Sequence, residues 1–95
     1  MTITGIIWMR AIVDKLSWKH QVTPDEVEEM LQNTPIFLFV EKGERRGEDV
    51  YMALGRTDAG RYLTTLFIYK PTQEALILSA RDMAAKERKY YAKKR

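Results

Sequence analysis

The sequence contains no cysteine and a single histidine, His20. Without cysteine there is no disulfide framework, no thiolate metal site and no cysteine nucleophile, and the composition suits a reducing compartment. One histidine excludes the usual clustered-histidine metal sites, and the acids lack the spacing of a metal-binding loop. A glycine-rich phosphate loop is absent too, since Gly55-Arg56-Thr57-Asp58-Ala59-Gly60 reads as a hairpin rather than a nucleotide cradle. Serine is confined to Ser17 and Ser79, neither beside an evident base, which argues against nucleophilic hydrolysis. No apolar run approaches the roughly 20 residues of a membrane span, and Thr4–Trp8 is too short for the core of a signal peptide. The expectation is a cytoplasmic protein that needs no cofactor and does not engage a membrane.

What is present suits one small folded unit. At 95 residues and 45% hydrophobic composition, the chain is long enough for a single core and is read as one domain, 1–95. Its net charge of +3 hides an asymmetry. Residues 24–49 hold eight acids and three bases, whereas residues 86–95 hold six cations (Lys86, Arg88, Lys89, Lys93, Lys94, Arg95) against Glu87. A polarised chain of this kind can pair head to tail as a homodimer, or turn one face to an anionic partner. The basic tail admits a phosphate-tracking surface, a docking site for an acidic protein, or plain solubility.

Periodicity orders the elements. Met9, Ile12, Val13 and Leu16 recur at helix-face spacing, and this helix is expected to end near Lys19-His20, where cations complement the negative end of the helix dipole. Thr23-Pro24-Asp25-Glu26 predicts a second helix start, with Thr23 as N-cap, proline in the first turn and Glu26 completing a capping box. Asn33-Thr34-Pro35 stops that helix. The period then changes to strands: Ile36–Val40, Val50–Arg56, Tyr62–Tyr69 as the central strand, and a last run ending at Ala80. Thr2–Trp8 fits either a strand or packing beneath the core. After the last strand, Asp82 is expected to cap a C-terminal helix. Short turns join the strands, so the fold class is α+β: an antiparallel meander of about four strands, two N-terminal helices and one C-terminal helix.

The chemistry-bearing residues that remain are Lys19, His20, Glu48 and several arginines. This set suits metal-free phosphodiester cleavage, in which the RNA 2′-hydroxyl attacks its own phosphate and the protein moves protons and offsets charge. Taken alone, a Lys-His pair at a helix end is more often structural, and Arg81 could equally anchor Glu87 or Asp82.

Several motifs follow in a familiar order: Lys19-His20-x-Val22, Gly47-Glu48, Gly55, Gly60-Arg61, Ser79-Ala80-Arg81 and Glu87-Arg88-x-x-Tyr91. Over about residues 8–95 the chain resembles the BrnT-type toxins of type II toxin–antitoxin systems, which are similar to RelE-like ribonucleases. The resemblance implies a ribonuclease held in check by a ribbon-helix-helix antitoxin. It implies Lys19, His20, Glu48 and Arg81 as the active-site group, and Arg61, Lys86, Arg88 and Lys89 are the candidate RNA contacts. The chain departs from the family pattern at Leu16 (often asparagine), Gln21 (often glycine) and Val50, where the family usually carries an arginine. The alternative class is a non-catalytic module of the same fold that binds a partner protein without cutting RNA.

Overall fold

Thr23-Pro24-Asp25-Glu26 forms the capping box that its spacing predicts. The structure, a computed structural model, describes residues 1–94; Arg95, counted above in the basic tail, lies outside the described residues. Thr23 Oγ1 accepts the Glu26 backbone N–H at 3.2 Å, and Glu26 Oε1 accepts the Thr23 backbone N–H at 3.0 Å. Upstream, helix α1 (Arg10–Lys15) runs directly into a π-helical turn, Leu16–His20. This turn ends at Gln21, whose backbone is left-handed at φ 51°. The Leu16 carbonyl accepts from both Gln21 and Val22, so a wide turn closes without orphaning the chain. Helix α2 (Pro24–Gln32) follows and buries Val27 and Met30.

Five strands form one sheet: β1 (Gly5–Ile7), β2 (Ile36–Glu41), β3 (Val50–Arg56), β4 (Tyr62–Tyr69) and β5 (Glu74–Asp82), in the order β1-β5-β4-β3-β2. The expectation of about four all-antiparallel strands is therefore corrected to a mixed sheet. β1 runs parallel to β5, with Gly5 opposite Glu74 and Ile7 opposite Leu76. A parallel pair needs a long crossover, and here everything from α1 through β4 serves as that crossover, so no local turn signal announces it. β4 is central, as its two-faced apolar composition predicts.

The end of β5 holds the second correction. The strand continues through Asp82, with Arg81 opposite Thr64 and Asp82 opposite Leu63, and helix α3 starts only at Ala85 and reaches Lys94. Asp82 does not cap it. Its carboxylate is drawn instead to Arg61, while Glu87 Oε1 accepts the Ala84 backbone N–H at 2.7 Å.

Each sheet face has its own cluster. Leu16, Val22, Val27 and Met30 pack on Ala53, Leu63, Phe67, Ile77 and Ala80. Gly55 is required beneath α2, because a Cβ there would come within 2.9 Å of the Met30 carbonyl oxygen. On the opposite face α3 covers only one end, where Tyr91 joins Leu54 and Met83. Trp18, at 71% exposure, is the most open of the large aromatics.

Candidate active site

Arg81 and Asp82 are consecutive in β5, so their side chains leave opposite faces of the sheet. Arg81 turns towards α3. Its Nη1 and Nη2 donate to the Glu87 carboxylate at 2.7 and 2.8 Å, and Nη1 also donates to the Asp82 carbonyl at 3.1 Å. The end-on fork of the guanidinium is thus filled. Its side-on fork, Nε with the second Nη2 proton, has no partner among the described residues, and the side chain is 38% exposed. Glu87 is the anchor of this arrangement. Its Oε1 accepts from Thr64 Oγ1 at 2.9 Å as well as from Arg81 and Ala84, and these donors, Arg81 first, hold its carboxyl down at about 2.

That depression carries a pH dependence with a definite sign. An ordinary glutamate titrates at 4.5, so between about 2 and 4.5 the unfolded chain binds a proton that the folded chain does not. The stabilisation is complete above 4.5 and is lost as pH falls towards 2. Thermal midpoints measured from pH 6 to pH 2 should fall more steeply for wild type than for Glu87→Gln. Parallel curves would mean that Glu87 contributes nothing here.

Asp82 turns to the other face, where Arg61 waits on the β3–β4 hairpin. Arg61 Nε and Nη2 take the Asp82 carboxylate at 2.7 and 3.3 Å. Nη2 also donates to the His20 carbonyl at 3.0 Å, and Nη1 donates to the Gln21 carbonyl at 2.7 Å and to Glu26 at 3.2 Å. All five N–H donors of an arginine are accounted for, which leaves none for an RNA phosphate. Arg61 is a tie, fastening the exit of the π turn, the capping box and the last strand to one another. The tie holds Asp82 below the usual carboxylate range, Arg61 being the main cause and the neighbouring His20 a lesser one.

The expected site residues are therefore not all gathered. Lys19 and His20 sit at the end of the π turn, which packs against β5 beside Asp82. β1 pairs with the outer edge of β5 only as far as Leu76, so beyond that point the edge has no strand partner, with Arg81 on one face and the His20 turn packed on the other. Glu48 lies elsewhere. It precedes β3 and reaches Lys70 at 3.8 Å, at the sheet end away from Arg81. Val50 is paired with Ile68 and Arg81 with Thr64, which puts at least about 13 Å of strand between them. Lys86 and Lys89 are exposed on α3, and Arg88 lies over the Tyr62 ring at 3.9 Å. The described residues contain no cluster of three or more histidine or acidic side chains able to hold a metal ion.

A family model described as the ribonuclease toxin BrnT of type II toxin–antitoxin systems matches residues 10–87. The chain belongs to the BrnT family. Membership makes it a ribonuclease toxin by descent, with RNA as the substrate class and a protein antitoxin as partner. No curated protein matches the chain. Two of its departures from the BrnT pattern now have a structural setting. Gln21, where the family often has glycine, occupies a left-handed position that glycine adopts without strain, and its Nε2 donates to the Trp18 carbonyl at 3.1 Å. Val50 stands in β3 opposite Ile68. Arg45 and Arg46 are exposed in the preceding turn. Sequence reasoning missed Arg56, which stands opposite Tyr62. Nothing in its spacing marked it, because the ring that gathers it arrives from the next strand.

Proposed function

We propose that this BrnT-family chain cleaves RNA by attack of a 2′-hydroxyl on the adjacent phosphorus, without a metal, at the open edge of β5. The attack forms a 2′,3′-cyclic phosphate and expels the 5′-oxygen, so one proton must leave the 2′-oxygen and one must reach the leaving oxygen. The observation that carries this reading is Arg81: one fork is locked on Glu87, and the other, on a side chain 38% exposed, has no partner among the described residues. That is the geometry a phosphate accepts bidentately. The charge that builds on the phosphoryl oxygens in the transition state falls on this fork. Lys19 and His20 supply the proton transfers. A neutral imidazole has one ring nitrogen that accepts a proton and one that donates, so it can serve as base or acid. Glu48, at the far end of the sheet, takes no part in this step.

The test is cleavage of a defined RNA by the protein free of antitoxin, with and without ribosomes. Chelator should not slow it, and a 2′-deoxy nucleotide at the cut site should block it. Cleavage that needs added metal, or that ignores the 2′-deoxy substitution, refutes the mechanism. A second reading, a binding module without activity, draws on Val50 in place of the family arginine. It takes over if neither condition yields cut RNA.

The partner is a ribbon-helix-helix antitoxin whose acidic segment meets the exposed cations of α3. Neutralising Lys86, Lys89, Lys93 and Lys94 together should slow association with the antitoxin and flatten its salt dependence. An unchanged association rate removes the tail from the interface, and sedimentation of the protein alone reports any homodimer.

A further inference from the structure

On the Arg81 face of the sheet, two residues closer to the β3–β4 hairpin, Tyr62 stands opposite Arg56. The Arg56 guanidinium carbon lies 4.9 Å from the Tyr62 ring centroid, and that of Arg88, from α3, lies 3.9 Å from it. Two cations from separate elements have gathered on one ring. Neither has a carboxylate partner among the described residues, although Arg61 and Arg81 at the same end of the sheet are both ion-paired. Arg56 Nε is in addition buried with no hydrogen-bond partner, a state that native structures rarely tolerate without a reason.

Space adjoins both cations. A cleft of about 350 Å³ opens beside Arg56, with Asn33, Asp58 and Tyr91 in its wall, and another of about 430 Å³ opens beside Arg88, Tyr62 and Tyr91. Asp58 is the single carboxylate lining either cleft among the described residues. It is engaged, accepting from Asn33 Nδ2 at 2.9 Å, and it does not pair with Arg56.

We propose that Arg56 and Arg88, gathered on Tyr62, form a second phosphate site that holds the RNA strand next to the phosphate taken by Arg81. The inference rests on the cleavage reading above and adds to it a subsite for the backbone of a single strand. Cation–π contact orients the two guanidinium planes but consumes none of their N–H donors, so an anion placed at the ring receives donors from both. A phosphate offers oxygens on all sides and can accept from β3 and α3 together, whereas a carboxylate accepts in one plane. A phosphate that draws Arg56 into its cleft also supplies the acceptor that Nε lacks. The position beside Arg81 on one face continues a track instead of starting a separate one.

The experiment is equilibrium binding of a short single-stranded RNA, 2′-O-methylated throughout so that it binds without being cut. Wild type, Arg56→Gln, Arg88→Gln and the double variant are compared across a salt series, with circular dichroism to verify folding. Each substitution should weaken binding severalfold and reduce the slope of log affinity against log salt by about 0.7. Arg56→Lys should keep the slope and lose affinity, since it retains charge without the fork. Unchanged slopes in all variants, or no binding by wild type, overturn the proposal. So does a result in which poly-glutamate, and not the RNA, is held in an arginine-dependent way, because that describes a protein-docking surface. Cleavage of unmodified RNA is scored separately. Slopes that fall without any cleavage sink the catalytic reading alone, and cleavage with unchanged slopes sinks the subsite alone.

Discussion

Replacing Arg81 with alanine is expected to lower the rate of RNA cleavage by about 10²–10³, the usual cost of losing one group that stabilises transition-state charge. Lysine should not restore the rate. Its ammonium is a point charge and lacks the second fork, Nε and Nη2, that the Glu87 pair leaves available. The fold should survive, because Glu87 keeps its bonds from Thr64 and Ala84 and still holds the first turn of α3 to β4. Glu87→Gln should cost less than Arg81→Ala, since an amide oxygen can still accept from Nη1 and steer the guanidinium. Single-turnover cleavage by the variants, matched for folding by circular dichroism, measures the order. Wild-type activity in Arg81→Ala would remove Arg81 from the chemistry.

The second large effect is expected at Arg61, on stability rather than chemistry. Arg61→Met keeps the apolar stem and removes every donor that fastens His20, Gln21, Glu26 and Asp82. The side chain is 27% exposed, and the Asp82 contact is screened by solvent, so the loss is put at about 2–3 kcal/mol. For a chain of this size that lowers the thermal midpoint by about 10–20 °C. Trypsin offers a local readout. With the exit of the π turn released, cutting after Lys19 should accelerate well below the global transition. A midpoint within a degree or two of wild type would show that the other contacts hold the turn unaided.

The elements whose signals are local were legible from the residues alone. The capping box at Thr23, strands β3 and β4 and the end of the first helix at His20 all depend on neighbours a few positions away. What escaped depends on partners far along the chain. β1 finds its parallel partner only after the rest of the sheet exists, and it lies outside the stretch that matches the family. Asp82 carries the chemistry of a helix cap, yet an arginine 21 positions earlier outbids the helix for it. The same limit governed the site. Arg81 was legible as a strand-end arginine of the Ser-Ala-Arg motif. Arg61 read as one more cation for RNA, although its donors are all engaged internally. Glu48 is brought near Arg81 by motif order and is separated from it by the length of β4.

The parallel pairing of β1 with β5 sets a condition on when this protein can act. Thr4 and Thr72, 68 positions apart, are joined by a side-chain hydrogen bond at the start of that pair, and Arg81 and its anchor Glu87 come later still. Contacts of such long range form late, because the whole intervening loop must close first. During synthesis the amino-terminal strand has nothing to pair with until the final strand has left the ribosome. The Arg81 guanidinium has no carboxylate to hold it until Glu87 of α3 has followed it. A growing chain therefore carries the Lys19-His20 turn before the half of the proposed site that Arg81 supplies. Under the proposed cleavage reading, this topology delays competence until β5 and α3 have both been made and have packed.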